Sequence, residues 1–197
     1  MAGVKTIRIT RCLIIFCKFK EKRMLVMGIY APTNTYRDFN STISQGNGGE
    51  DLLKNYMSIK GFQIIDRSND PLYQLKDIDF EFSRNGNKWS SVEVKSDYRM
   101  AQTGNIVVEV AMYRKSGKSK GWLYYCEADY LCFIDMQSYD FYFFDWKKLQ
   151  QEVLNGRWRF TKFNNGTDNC EGEVCKIPLK DLFNMGLVVI KDKIYFG

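Results

Sequence analysis

The sequence predicts an α/β domain in which a mixed central β-sheet is flanked by helices, and three observations predict it. Residues 77–82 and 91–97 alternate polar and apolar side chains on either side of Asn85-Gly86, the pattern of two strands joined by a turn. Residues 48–60 carry Glu50 and Asp51 ahead of an apolar stripe of helical spacing. From residue 105 onward, β-prone runs alternate with short helical patterns. At 197 residues, 45% hydrophobic and 15% aromatic, the chain can bury a sizeable core within one domain.

The elements follow in order. Residues 7–17 and 24–30 are β-prone and flank the charged stretch Lys18 to Arg23, which predicts an N-terminal hairpin. Residues 31–48 are rich in Thr, Asn, Ser and Gly and read as loop, with at most a short helix near Tyr36 to Ile43. A helix is expected from Gly48 or Gly49, its stripe formed by Leu52, Leu53, Tyr56, Met57 and Ile59, with Gly61 as its stop. Phe62 to Ile65 reads as a short strand and Ser68-Asn69-Asp70-Pro71 as a turn. After the 77–82 and 91–97 pair, residues 105–113 form a further strand and Arg114 to Gly121 a basic, mobile loop. A short helix at Trp122 to Ala128, strands at 130–136 and 139–144, and a helix at Trp146 to Leu154 stopped by Gly156 come next. Strands at 157–163 and near 173–177, a helix at Leu179 to Asn184 opened by Pro178, and an apolar ending at 187–196 complete the pattern. The chain divides into a basic arm at 1–23, a core at 48–136 and a C-terminal elaboration at 137–197, within a single domain.

In the central strand pair, alternation places Asp77, Asp79 and Glu81 on one face and Ile78, Phe80 and Phe82 on the other. In the second strand it places Ser91, Glu93, Lys95 and Asp97 opposite Val92 and Val94. A two-residue Asn85-Gly86 loop would pair Asp79 with Val92 and send the acids to opposite sides. A three-residue loop through Asn87 would pair Asp79 with Glu93, so a three-residue turn with a glycine bulge, or an equivalent bulge in one strand, is required if the two acids are to meet.

Composition excludes several chemistries. The chain has no histidine, which removes Ser-His-Asp triads, Cys-His pairs and H-E-x-x-H zinc sites and leaves carboxylates, lysine, thiols and a metal. The net charge of +6 lies in the first 23 residues, where seven Lys and Arg face Glu21 alone. This arm fits a phosphate-binding extension, a basic edge strand, or an over-long start upstream of Met24 or Met27. The apolar run Cys12 to Cys17 is far shorter than the roughly 20 residues of a membrane span and is followed by no small-residue cleavage site, so a cytoplasmic, intracellular protein without membrane contact is expected. Six cysteines are read as bland thiols; the C-x4-C spacings of Cys12/Cys17 and Cys170/Cys175 leave a four-cysteine zinc site as the alternative.

The order of elements, a helix bearing Glu50, a strand, a strand bearing Asp79, a turn and a strand bearing Glu93-Val94-Lys95, resembles the core of the PD-(D/E)xK nuclease superfamily over about residues 48–136. The resemblance implies a restriction-endonuclease-like sheet and hydrolysis of nucleic-acid phosphodiesters with Mg2+, Mn2+ being a plausible substitute. It assigns Asp79 as the motif aspartate, Glu93 and Lys95 as the ends of E-x-K, and Glu50 as the acid of the preceding helix. The stretches Thr103-Gly104-Asn105-Ile106-Val107-Val108-Glu109 and Cys126-Glu127-Ala128-Asp129-Tyr130 resemble segments of phage-type members, so a phage-encoded origin is entertained. The departure is Lys76-Asp77-Ile78, which lacks the proline of the superfamily name.

Chemistry supports the same residues independently. Magnesium takes hard oxygen ligands and keeps several waters, so Asp79 and Glu93, with Glu50 and the Val94 carbonyl, suffice alongside a substrate phosphate. Lys95 would orient the attacking water or neutralise transition-state charge. With nine glutamates and nineteen lysines, about one E-x-K is expected by chance, so the tripeptide signals nothing without its strand context. The competing reading of the charged face is a solvated edge hairpin. Glu109 fits either an extra site acid or a partner for a basic neighbour. Arg114, Lys115, Lys118 and Lys120 form the dense basic cluster outside the arm, suited to phosphate contacts or to a solvated loop. The aromatics at 124–125 and 139–144 are assigned mainly to core. Asp145-Trp146-Lys147 matches D-x-K but sits at a helix start with no acidic strand before it, and is discarded.

The expected function is a metal-dependent endonuclease acting on nucleic acid, DNA favoured, as a homodimer if duplex cutting is its task. The alternatives are a catalytically inactive nucleic-acid-binding module on the same scaffold and an RNA-directed endonuclease.

Overall fold

In the computed structural model the described residues are 39–114, 117–164 and 171–195, with side chains from residue 48 onward. The N-terminal hairpin and basic arm, Lys115, Cys12, Cys17 and Cys170 lie outside them.

The domain is mixed α/β. A six-stranded sheet is built from β1 (Gln63–Asp66), β2 (Phe80–Ser83), β3 (Ser90–Asp97), β6 (Tyr130–Asp135), β7 (Asp140–Asp145) and β10 (Val188–Lys193), in that spatial order. Only β3 and β6 are parallel; every other pair is antiparallel. A second, wholly antiparallel sheet runs in the order β5 (Gly117–Lys120), β4 (Asn105–Arg114), β9 (Glu171–Pro178), β8 (Phe160–Asn164). The helices are α1 (Phe39–Ile59), α2 (Pro71–Gln74), α3 (Met100–Thr103), α4 (Trp146–Leu154) and α5 (Leu179–Asn184).

The six-stranded sheet is buried on both faces, as its apolar central strands require. Cys132, Ile134, Phe141 and Phe143 pack with Phe80, Phe82, Val92 and Val94 against Leu53 and Met57 of α1. The alternate residues Leu131, Phe133, Tyr142 and Phe144 pack on Ile106, Val108, Val110, Cys175 and Ile177 of the second sheet and on Trp146 and Leu149 of α4. The segment after residue 136 is thus woven through both sheets, contributing β7 and β10 to one and β8 and β9 to the other.

Several expectations are corrected. Helix α1 already runs from Phe39, through a Gly-rich stretch that reads as loop. Packing explains the difference, since a Cβ at Gly49 would collide with Ser96 Oγ and glycine lets the helix lie close on β3. Residues 117–120 form a strand rather than a loop; β5 pairs with β4 from Ala111↔Lys120 to Arg114↔Gly117, and its exposed polar side chains hide it from a hydrophobic pattern. Trp122 to Ala128 is a single turn and not a helix. Tyr125 and Cys126 N–H both donate to Trp122 O (3.3 and 3.0 Å), after which Glu127 N–H binds Lys76 O (2.8 Å) and draws the chain toward β6. The 105–113 strand belongs to the second sheet, and short α3 precedes it.

Other elements match their expected positions. Helix α4 spans the expected residues, capped by Asp145, whose carboxylate accepts from Lys148 N–H. Helix α5 opens after Pro178 as expected. Asp70 caps α2 in the predicted turn. Cys126, Cys132 and Cys175 are buried free thiols. Cys175 lies in the apolar core, its thiol pushed up to about 11 by burial, which removes it from a surface zinc site. No helix among the described residues is long and apolar enough to cross a membrane.

Candidate active site

The site forms where β2 stops and β3 continues. The β2–β3 ladder pairs Phe80 with Val92, Glu81 with Ser91 and Phe82 with Ser90, the register an odd-numbered loop demands. The expected three-residue turn is instead a wider connection over residues 84–89. Side chains close it: Ser83 Oγ accepts from Gly86 N–H (3.0 Å), Asn85 Oδ1 from Asn87 N–H (3.1 Å), and the Trp89 indole donates to Gly86 O (3.0 Å). The bulge falls at Asp79, whose N–H donates to Val92 O (3.0 Å) although Val92 is registered opposite Phe80, so two consecutive residues address one partner. Its carbonyl accepts from Arg67 N–H of the β1 side (2.8 Å), and its Oδ2 accepts from Val94 N–H (2.7 Å). The Asp79 carboxylate is therefore held against β3 by its own strand's irregularity.

Beyond that point β3 loses its β2 partner, and its polar side chains fill the notch. Glu93 is buried, with a side chain 5% exposed, and accepts a short hydrogen bond from Lys95 Nζ. The same ammonium donates to Asp77 Oδ2 (3.2 Å) and lies 5.1 Å from the Trp122 ring centroid. Asp77 adopts φ +53°, a left-handed conformation uncommon for a non-glycine residue, at the turn that leads into Asp79. Asp77 is the residue that sequence reasoning missed. Its i, i+2 spacing from Asp79 was the available signal, but the contact with Lys95 arises from the turn and not from strand alternation.

Electrostatics ties these groups together. Burial, reinforced by the charge of Glu50, pushes Asp79 up to about 7. Burial also drives Glu93 well above the usual carboxylate range, against the opposing pull of Lys95. Burial works against the Lys95 ammonium, but Glu93 and Asp77 overcome it and raise its pKa. Glu50, on the sheet-facing helix, is half-buried and raised by desolvation; Lys54 lowers it and Glu93 raises it further. Lys54 is itself occupied by Asp51 (3.1 Å) and Asp66 (2.7 Å). Glu109 is raised by burial and feels both Lys95 and Asp77, which places it at the opposite wall, on the second sheet.

Not every acid expected on this face takes part. Glu81 binds Arg67 through two nitrogens (2.7 and 2.8 Å) and belongs to the β1–β2 edge. Asp129, of the Ala128-Asp129-Tyr130 segment, accepts from Ser91 N–H (2.9 Å) and ties the start of β3 to that of β6. Asp145 is a helix cap, consistent with discarding its D-x-K match. Arg114, Lys118 and Lys120 are exposed along the β4–β5 hairpin. Among the described residues, no three carboxylates or thiols converge as a ready-made cation cage. The reason is visible in the geometry: Lys95 occupies the space between Glu93 and Asp77.

No protein-family model matches the chain, and no curated protein matches it in sequence. A bacterial homing endonuclease of known structure is similar to it at 19% identity, with 56% of this chain and 73% of that chain covered and a TM-score of 0.44.

Proposed function

We propose that this protein is a metal-dependent endonuclease of PD-(D/E)xK type, hydrolysing nucleic-acid phosphodiesters, DNA by preference, through Asp79, Glu93 and Lys95 with Glu50 in support. The observation that carries the reading is the convergence of Lys95 with Glu93 and Asp77 beside the buried Asp79, in a notch left by the end of β2.

The donor set fits a hard divalent cation. Asp79 and Glu93 are carboxylates whose burial disfavours their ionised forms, so a cation placed between them would relieve a cost already present. Magnesium is commonly held by one or two carboxylates plus substrate phosphate and waters, so a three-acid cage is not required. The Val94 carbonyl shares a strand edge with the N–H that meets Asp79, because both groups of one strand residue point the same way. Asp79, Glu93 and Val94 would hold Mg2+, or Mn2+, with Glu50 binding its waters. When bound, the ion would polarise the phosphoryl oxygens and lower the pKa of a coordinated water.

The chain's own groups supply the rest. Lys95 carries three donors, two of them directed by Glu93 and Asp77, which leaves one for the attacking water or a phosphoryl oxygen. Its positive charge, secured by those carboxylates, would offset charge growing on the phosphate as the bond breaks. Asp77 acts as a positioning residue by fixing the ammonium. Two strands of a duplex need two such sites, so duplex cutting would go with a homodimer.

The closed Lys95–Glu93 pair favours one second reading, a binding module that retains the scaffold without cutting. Incubation with duplex, single-stranded and branched DNA and with RNA, in Mg2+, Mn2+ or chelator, decides between them. Divalent-dependent products lost in Glu93→Ala are expected. No cleavage of any substrate, or full activity of the Glu93→Ala protein, would reject the enzyme.

A further inference from the structure

The aromatic residues of this chain are almost all accounted for by its core, and two are not. Phe80, Phe141, Phe143 and Phe144 are buried, whereas Tyr124 and Tyr125 are 44% and 43% exposed. They are adjacent in a rigid turn whose other members, Trp122, Leu123 and Cys126, are buried. The turn is pinned from several directions. Gln150 Nε2 donates to Leu123 O (2.6 Å), the Trp146 indole donates to Cys126 O (3.0 Å), and the Trp122 and Trp146 rings pack at 5.2 Å. Gly121 fixes its approach, since any Cβ there would collide with the backbone carbonyl of Glu109. Two large rings are thus displayed on a scaffold that gives them no packing role.

Their surroundings point to a ligand. Trp122, at the start of the turn, lies beneath the Lys95 ammonium. The hydroxyl of Tyr125 is raised by burial and by the charges of Asp77 and Glu109, so it borders the acidic notch. On the other side, the Lys120 ammonium lies 5.8 Å from the Tyr124 ring, and Lys118 lies 5.3 Å from that of Tyr113. Both lysines stand on β5, the edge strand of its sheet. An acidic notch, two exposed rings and a lysine-bearing edge therefore follow one another. Rings accept bases through their faces and lysines accept phosphates, a combination that suits an unpaired strand, because paired bases present no free face.

We propose that the 121–126 turn and β5 form a track for single-stranded nucleic acid, with Tyr124 and Tyr125 stacking unpaired bases beside the scissile phosphate and Lys118 and Lys120 holding the backbone. The proposal rests on the endonuclease reading for its geometry, but its test reads binding alone. Fluorescence anisotropy would follow a labelled oligothymidylate, and a blunt duplex of equal length, in chelator so that nothing is cut. Tyr124→Ala and Tyr125→Ala are each expected to weaken oligothymidylate binding by about tenfold, while Tyr124→Phe and Tyr125→Phe retain it. Lys118→Ala with Lys120→Ala should lower the slope of log affinity against log salt by about one. Equal affinity of the alanine variants for the oligonucleotide, tighter binding of duplex than of single strand, or no binding of either probe would overturn the track. Thermal unfolding of the same variants guards against misfolding, and the half-exposed tyrosines leave the fold intact when truncated. Tyrosine-dependent binding without any cleavage would sink the hydrolase and leave the track standing.

Discussion

Substituting Asp79 by asparagine separates the cost of the site from its use. Burial and the neighbouring Glu50 hold this carboxyl at about 7 instead of its ordinary 3.8. Between those values the folded protein keeps a proton that the unfolded chain has released, so stability falls as pH rises through the window and is lost in full above pH 7. A gap of that size corresponds to about 4 kcal/mol as an upper bound. Asparagine has nearly the same shape and can still accept from Val94 N–H, but it carries no charge. Urea unfolding should therefore find the two proteins similar near pH 4, and Asp79→Asn more stable by roughly 1–4 kcal/mol at pH 8. Comparing the two proteins cancels the contribution of Glu93, which is present in both. Added Mg2+ at pH 8 should stabilise the unsubstituted protein and leave the variant where it was, since ligand binding to the folded state raises its stability by mass action. Parallel pH–stability curves would refute the electrostatic reasoning. Equal stabilisation of both proteins by Mg2+ would refute the assignment of Asp79 as a ligand.

Three further outcomes follow from the same geometry. Lys95→Met should lower cleavage by about 10²- to 10³-fold, as loss of a transition-state donor does, and it leaves Glu93 buried without its cation, costing about 1–3 kcal/mol in denaturant; unchanged single-turnover rates would reject the role of the ammonium. Gly121→Ala should destabilise the protein by about 1–3 kcal/mol because its methyl meets the Glu109 carbonyl, with thermal unfolding as the check and an unshifted transition as the contrary result. Asp145→Ala should cost about 1 kcal/mol through loss of the α4 cap while leaving any cleavage rate untouched; a fall in rate without a fall in stability would restore its D-x-K match as chemistry.

The legibility of this fold followed hydrophobic contrast. Strands β2, β3, β6 and β7 carry long apolar faces, and helices α4 and α5 have Asp145 and Pro178 at their starts, so local pattern sufficed. Strand β5 is polar along its whole length and pairs only because β4 lies beside it, which no window of sequence reveals. The beginning of α1 was hidden by glycines whose value lies in contact with Ser96, a residue distant in the chain. At the candidate site, the E-x-K spacing and the odd register were available from alternation and loop parity. The left-handed turn at Asp77 was not, because a positive φ at an aspartate is imposed by the surrounding structure.

The sequence by itself determined which residues could do chemistry, since the absence of histidine and the alternation in two strands left few candidates besides Asp79, Glu93 and Lys95. Only the tertiary structure decided how those groups are charged and held. Burial, the bulge at Asp79 and the insertion of Lys95 between Glu93 and Asp77 depend on distances between segments far apart in the chain, and electrostatic energy depends on such distances and on exclusion of water rather than on order along the backbone.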